Sequence, residues 1–280
     1  MEIGWTYIAI SITAWSITPS LIAFDRAKYN SIVANASRSL FASLFILPYV
    51  IFMGYTPSWN TLIIAFLVGV CGAIIGDTAY VAALRTGSPG LVIPVSYTYV
   101  VVAQLIGYFI GLDISLLDVL ASFLAIFGVY IAYGGLSKSK GSTKGLAYAI
   151  IASLAWGIFV HLVKYAVSIM DPIVLNFLRL FMASLILFIM SFKLHGIKNT
   201  LPAIYHLKYT NLSGILGFGI GGSFFYTALT ILKFSPVIIA TALTPLTGVF
   251  VARLLLKEEV KTKHIIGTII VVASIILASI

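Results

Sequence analysis

An Asn-x-x-Arg pattern occurs twice in the chain, each time inside an apolar stretch. Arg38 follows Asn35, and Arg179 follows Asn176. A guanidinium stays charged and presents a rigid fork of donors that matches a carboxylate. Two interpretations are open. Both cations attract an anionic group such as a carboxylate, or each one anchors its segment by reaching toward water, helped by the asparagine one turn earlier.

Asp77 is a lone carboxylate in another apolar stretch. Desolvation favours the neutral form of a buried carboxyl group, whereas a neighbouring Arg38 would favour the charged form. Three roles are open at this point: a coupling group that takes up a proton, a ligand for the amine of a bound solute, and a structural partner of Arg38.

Two stretches combine prolines with hydroxyl and aromatic side chains. The first contains Pro94, Tyr97 and Gln104, and the second contains Thr244 and Pro245. Proline removes a backbone donor and frees the carbonyl one turn earlier, which apolar surroundings tolerate mainly beside a polar cavity. We therefore predict a cavity beside these stretches, in which tyrosine and tryptophan offer an apolar face and one hydrogen bond.

Several classes of chemistry lack the residues that they need. Cys71 is the single cysteine, which excludes a disulfide framework and a cysteine-based metal cage. We interpret the embedded His161 as a packed polar residue, and nothing pairs the other histidines. The sequence has no phosphate-binding Lys-Ser/Thr loop, zinc-hydrolase set or Ser–His nucleophile turn, so we predict no catalytic residue, no metal and no cofactor. The basic residues form no stripe for nucleic acid.

Ten apolar segments must position these side chains. Of 280 residues, 61% are hydrophobic and only 9% are charged, against about a quarter charged in soluble domains. About 20 residues of helix cross a bilayer, and the candidate spans are 4–24, 32–53, 61–84, 88–110, 115–136, 145–165, 172–192, 210–232, 235–256 and 263–280. The spans are apolar on all faces, unlike the strands of a barrel. The predicted fold class is all-α, a multi-pass membrane protein with ten transmembrane helices.

The second half of the chain repeats the first. At an offset of 141, Trp15 aligns with Trp156 and Arg38 with Arg179; at an offset of about 146, Asp77 faces Ser223. The polar stretch 137–144 is predicted to be a cytoplasmic linker between five-helix repeats at 1–136 and 145–280. Five spans per copy is an odd number. The second repeat must therefore enter the membrane from the opposite side, which makes the repeats inverted.

Inverted halves carry a functional expectation. They can exchange conformations and so expose one central site to either side of the membrane, which is the plan of secondary transporters. A duplication that only builds a stable bundle is the alternative. On this plan Arg38 and Arg179 lie about 9–10 Å along their helices, near opposite membrane faces at the two ends of a central pathway.

Charge in the loops predicts the orientation. The positive-inside rule assigns loops rich in lysine and arginine to the cytoplasm. Loops after odd-numbered spans hold most of these residues: Arg26, Lys28, Arg85, Lys138, Lys140, Lys144, Lys193, Lys198, Lys208, Lys257, Lys261 and Lys263. The opposite side has Lys164 and Lys233. Both chain ends are therefore predicted to face outward.

Over both halves, the chain resembles the ten-helix EamA-like branch of the drug/metabolite transporter superfamily. The resemblance rests on Ala14-Trp15-Ser16 and Ala155-Trp156-Gly157, on Arg38 and Arg179, on Gly76-Asp77-Thr78-Ala79-Tyr80, on Tyr226-Thr227-Ala228-Leu229 with Ser235-Pro236, and on Leu256-Lys257-Glu258-Glu259. It implies a carrier that moves small organic metabolites, commonly amino acids or related solutes, by alternating access without ATP. The family usually has both termini in the cytoplasm, contrary to the charge distribution, and we keep the orientation that the charges give.

The resemblance also implies a set of cavity residues. Together with the two arginines, the predicted substrate-binding residues are Trp15, Arg38, Asp77, Tyr80, Tyr97, Trp156, Arg179, Tyr226 and Thr244. We expect a secondary active transporter in the plasma membrane, a monomer or weak dimer, whose partners are the lipid bilayer, a small-molecule substrate and a coupling proton. A channel or a flippase-like lipid carrier is the alternative, and an intramembrane enzyme is a further one.

Overall fold

The computed structural model describes residues 2–25, 30–134, 142–257 and 259–280, and within these ranges every regular element is a helix. The elements are α1 (Glu2–Phe24), α2 (Ser31–Met53), α3 (Trp59–Thr86), α4 (Pro89–Phe109), α5 (Leu116–Ala132), α6 (Thr143–Ala166), α7 (Pro172–His195), α8 (Lys208–Ile231), α9 (Phe234–Leu255) and α10 (Thr262–Ser279). A short helix, Ile197–His206, connects α7 to α8. The predicted all-α class is confirmed.

Nine of these helices, all but α5, are long and apolar enough to cross a membrane within the ranges described. The helix α5 has 17 described residues and is equally apolar. Large apolar side chains such as Phe52, Trp59 and Phe109 are more than three-quarters exposed. Lipid rather than water suits such a surface, because soluble proteins rarely expose contiguous apolar patches of this extent.

The predicted linker 137–144 is described only in part. Residues 137–141 lie outside the described ranges, as do Arg26, Lys28, Lys138 and Lys140. The helix α6 begins at Thr143, so the last residues assigned to the linker already belong to a helix. We call the side on which α5 ends and α6 begins the linker side, and the opposite one the far side.

Helices of the two halves exchange partners. The helix α1 packs on α8 and α9, and its repeat equivalent α6 packs on α3 and α4. The helix α2 packs on α7, and α5 packs on α10. Two three-helix groups therefore face each other, α1/α8/α9 and α3/α4/α6. This reciprocal packing is what a two-fold relation between inverted five-helix repeats produces.

Two equivalent helices each contain a wider turn. The backbone is π-helical over Val70–Asp77 in α3 and over Gly214–Gly221 in α8. A π turn bonds each amide to the carbonyl five residues earlier, so it redirects carbonyls that an α-helix would pair internally. The helices α4 and α9 are interrupted too, at Thr98 and between Ala240 and Leu243, near Pro94 and Pro245.

Glycines allow the closest helix contacts. Gly69 of α3 lies against the backbone of Arg179 in α7, and Gly214 of α8 lies equivalently against the backbone of Arg38 in α2. A Cβ atom on Gly69 would be 2.7 Å from the Arg179 carbonyl oxygen. These glycines therefore bring backbones together, as lipid-embedded interfaces require.

We predict that Gly69→Ala lowers the stability of the protein by about 1–3 kcal/mol, because the added methyl group meets a backbone atom that cannot rotate away. Gly248→Ala is the matched control, since a Cβ there would lie an ordinary 3.5 Å from the Ser16 carbonyl oxygen. Thermal unfolding midpoints of the purified proteins in detergent measure the difference. Equal midpoints for the two variants would contradict the packing argument.

Candidate functional site

In the first half, Asn35 joins the π turn of α3 to Arg38. The Asn35 Nδ2 amide donates to the Ala73 carbonyl oxygen at 2.7 Å and to Thr78 Oγ1 at 3.0 Å. Arg38 Nη1 donates to the Asn35 Oδ1 atom at 3.1 Å. One asparagine therefore satisfies a carbonyl of the π turn and holds the guanidinium that lies three residues further along its own helix.

The second half repeats this arrangement. Asn176 Nδ2 donates to the Phe218 carbonyl oxygen at 2.8 Å and to Ser223 Oγ at 3.0 Å. Arg179 Nε donates to the Asn176 Oδ1 atom at 2.9 Å. The repeated Asn-x-x-Arg pattern is thus a repeated structural unit, which we call the asparagine clamp. In each half the asparagine accepts a hydrogen bond from the arginine, but both arginines are buried and do not reach toward water.

The contacts revise the alignment of α3 with α8. Thr78 and Ser223 occupy equivalent positions in the two clamps, so the offset is 145 rather than 146. Asp77 therefore corresponds to Gly222, and its predicted pairing with Ser223 is wrong by one residue. A one-residue slip was invisible in the sequence, because glycine recurs on both sides of this position.

Arg38 and Arg179 converge instead of marking opposite ends of a pathway. Their exposed fractions are 4% and 3%. The Arg38 guanidinium carbon lies 4.1 Å from the centroid of the Phe218 ring, and that of Arg179 lies 5.9 Å from it. The two carbons are thus within about 10 Å of each other. The expectation of separate sites is wrong, because α2 and α7 pack directly together and both side chains reach the same level.

Asp77 faces both arginines. Its carboxylate interacts electrostatically with Arg38 and with Arg179, and it lies close to the Trp156 side chain. The hydrogen bonds of the two guanidiniums go to Ser213, Asn35 and Asn176. Among the described side chains, Asp77 therefore interacts electrostatically with both arginines, but no hydrogen bond joins it to either one.

These charges line a cavity of about 880 Å³. It begins on the linker side, between the end of α1 at Ala23, the end of α3 at Arg85, and Ala252 of α9. It extends to Trp15 and Trp156, near the middle of α1 and α6. The volume lies within the range of about 300–1,000 Å³ that is usual for small-molecule sites.

The two tryptophans form equivalent walls. Trp15 Nε1 donates to the Gly217 carbonyl oxygen in the π turn of α8 at 2.8 Å, and its ring contacts Phe225 at 5.1 Å between centroids. Trp156 contacts Tyr80 at the same 5.1 Å. The carboxylate of Asp77 thus takes the place beside Trp156 that a backbone carbonyl takes beside Trp15.

Eight of the nine predicted substrate-binding residues line this cavity: Trp15, Arg38, Asp77, Tyr80, Tyr97, Trp156, Arg179 and Thr244. Tyr226 does not. It is fully buried behind the wall, with its ring 5.2 Å from the Arg179 guanidinium carbon. The corrected offset makes Phe225, which lines the cavity, the equivalent of Tyr80.

The sequence reasoning missed Phe218 and Phe159, whose rings lie beside the arginines. Phe218 is the one aromatic residue in the stretch Gly214–Gly221. A single large ring in a glycine-rich stretch could have indicated this site, because such a ring fills space that the neighbouring glycines leave open.

The far side is closed by bonds between the two three-helix groups. The Tyr99 hydroxyl of α4 bonds with Thr241 Oγ1 of α9. Ser235 Oγ donates to Gln104 Oε1 at 2.8 Å, and Gln104 Nε2 donates to the Ser235 carbonyl oxygen at 3.3 Å. Lys164 Nζ donates to the Leu229 carbonyl oxygen at 2.7 Å. The cavity therefore does not continue to the far side.

His161 belongs to the same closed region. Its Nε2 atom lies 2.8 Å from the Ala103 carbonyl oxygen, and its ring stacks on Phe234. No group of three or more metal-ligating side chains occurs among the described residues.

A helical membrane protein with two equivalent halves around a polar cavity that is closed at one end has the architecture of a membrane transporter. The sequence pattern of the EamA-like transporter family matches residues 2–134 and 143–280. The chain therefore belongs to the EamA-like transporter family. It is a multi-pass membrane transporter, and its substrate is a small molecule.

Similar proteins agree with this assignment. A protein of Archaeoglobus fulgidus described as an uncharacterized transporter is 27% identical over 276 residues, which cover 96% of each chain. A solved structure described only as the crystal structure of a protein superimposes with a TM-score of 0.79, at 13% identity, over 100% of this chain and 97% of that one. At that identity the likeness concerns the fold alone.

We predict that Asn176→Ala destabilises the protein by about 1–3 kcal/mol, because it leaves a carbonyl of the π turn and the Arg179 guanidinium without a buried partner. Asn199→Ala, on the exposed face of the connecting helix, should change stability by less than about 0.5 kcal/mol. Thermal unfolding in detergent compares the two. A similar loss in both variants would show that the clamp adds no stability.

Proposed function

We propose that the protein is a secondary active transporter that moves a small organic, amphipathic metabolite by alternating access. The observation that carries the proposal is the form of the cavity. Its described lining extends from the linker-side ends of the helices to Trp15 and Trp156, and hydrogen bonds join the two three-helix groups on the far side. A carrier must have such a state, and its inverted repeats supply the mirror-related one.

The lining supports an organic and amphipathic substrate. Aromatic walls at Trp15, Trp156 and Phe225 offer apolar surface, while Arg38 and Asp77 offer charge at the same depth. Amino acids and related solutes combine these two characters. Without a phosphate-binding loop in the sequence, an ion or solute gradient would drive uphill transport, and Asp77 is our candidate for a coupling proton.

We further propose that the linker side is cytoplasmic and that the protein resides in the plasma membrane as a monomer or weak dimer. Described basic residues such as Arg85, Lys193 and Lys261 lie at the linker-side ends of their helices, and the positive-inside rule then assigns that side to the cytoplasm. The cavity would in that case face inward.

A direct test is counterflow in vesicles that contain the purified protein. We expect saturable accumulation of a labelled amphipathic metabolite from a panel of amino acids and related solutes, with and without a pH gradient. Asp77→Asn should abolish any dependence on the pH gradient. Flux that neither saturates nor shows counterflow would favour a channel and contradict the proposal.

The far-side bonds give a second test. Gln104→Leu removes both bonds to Ser235, which together should contribute about 1–3 kcal/mol to the present state. An Ala252→Cys reporter at the linker-side mouth, in a Cys71→Ser background, should then react severalfold more slowly with an impermeant maleimide, because the linker-side-open state is less populated.

The matched control is Lys193→Cys, an exposed position at the linker-side end of α7. Its labelling rate should not respond to Gln104→Leu. An unchanged rate at both reporters would mean that the two three-helix groups do not exchange, and alternating access would be excluded.

A further inference from the structure

We propose that the cavity selects organic monoanions, with the carboxylate of the substrate held between Arg38 and Arg179 and its apolar body against the aromatic walls. This inference rests on the proposed transport function and names the charge class of its substrate. It differs from an amino-acid site, in which Asp77 would also hold the ammonium group of the substrate.

Both guanidiniums have N–H donors that make no hydrogen bond within the described part of the chain. Arg179 uses only Nε, toward Asn176, and both of its terminal nitrogens are without a hydrogen bond in the described part of the chain. Arg38 uses Nε and Nη1, toward Ser213 and Asn35, which leaves Nη2. Both side chains are more than nine-tenths buried and line the cavity. Buried guanidiniums with unused donors are the groups that bind a carboxylate.

Two glycines leave space beside the Arg179 guanidinium. A Cβ atom on Gly72 would lie 3.4 Å from Nη1 of Arg179, and one on Gly222 would lie 3.3 Å from Nη2. The guanidinium thus fits between two glycines of α3 and α8, with no side chain from either one in its way. Gly222 is also the equivalent of Asp77. At this position the first repeat has a carboxylate, whereas the second repeat has no side chain and leaves room for the Arg179 guanidinium.

The charged side chains of the inner cavity do not balance. The inner cavity holds two cationic side chains, Arg38 and Arg179, against one carboxylate, Asp77. One excess positive charge therefore remains among these three side chains. A monoanion neutralises it, whereas a zwitterion leaves it unchanged and a cation increases it. In a low-dielectric site such an imbalance is costly.

A matched series of benzyl compounds tests the proposal. Phenylacetate is an anion, phenylglycine adds an ammonium group to it, benzylamine is a cation and benzyl alcohol is neutral. Calorimetric titration of the purified transporter should give phenylacetate the lowest dissociation constant, by a factor of about 10–30 over phenylglycine, as one unit charge at about 8 Å gives at an effective dielectric constant near 20.

Variants separate the anion site from a zwitterion site. Asp77→Asn should tighten phenylacetate binding, because the excess charge rises, whereas a zwitterion site would lose phenylglycine affinity in the same variant. Arg179→Gln should weaken phenylacetate about tenfold or more. Arg253→Gln, which removes an exposed charge outside the cavity, should leave binding unchanged. Unfolding midpoints verify that each variant is folded.

The outcomes are distinct from those of the transport test. Preference for phenylglycine or benzylamine, or no binding of phenylacetate at millimolar concentration, would overturn the monoanion proposal, while saturable counterflow of another solute would leave the transporter function intact. Tight phenylacetate binding without counterflow would support the anion site and contradict the transport mechanism.

Discussion

The asparagine clamp is the interaction on which the rest of the structure depends. A guanidinium at mid-membrane costs at least about 2.5–3.5 kcal/mol, and a π turn leaves a carbonyl that needs a donor. Asn35 and Asn176 meet both needs at once, since one amide group donates to the carbonyl and accepts from the arginine. The wide turn and the buried cation therefore stabilise each other, and each would be unfavourable alone.

The clamp also explains why the repeats can differ without losing their common geometry. Both halves keep the asparagine, the arginine and a hydroxyl at Thr78 or Ser223. The position before that hydroxyl takes no part in the clamp, so it can be Asp77 in one half and Gly222 in the other. A duplicated scaffold thereby produces an asymmetric site with two cations and one anion.

Much of the fold followed from the sequence, whereas the form of the site did not. Apolar runs fix the spans, and an odd number of spans fixes the inversion. The π turns left no separate mark, because glycine-rich stretches predict close packing whatever the helical pitch. The meeting of Arg38 and Arg179 at Phe218 depends on how α2 crosses α7, and spacing along one helix contains no information about that crossing. The prediction that Tyr226 lines the cavity fails for a related reason. With an offset of 146 it is the equivalent of Tyr80, whereas the contacts give an offset of 145 and make Phe225 the equivalent.

The distribution of bonds bears on how the proposed exchange could occur at low cost. Each clamp joins neighbouring helices of one half, α2 with α3 or α7 with α8, and the tryptophan contacts lie within single three-helix groups. Apart from Lys164, the side chains that close the far side are neutral: Tyr99, Thr241, Gln104 and Ser235. Hydrogen bonds between neutral groups contribute about 0.5–1.5 kcal/mol each to stability, and after opening the same groups can bond to water. Opening there would thus leave the hydrogen bonds of Arg38 and Arg179 to their asparagines intact. Among the described groups that close the far side, Lys164 is the charged one that would need a new partner.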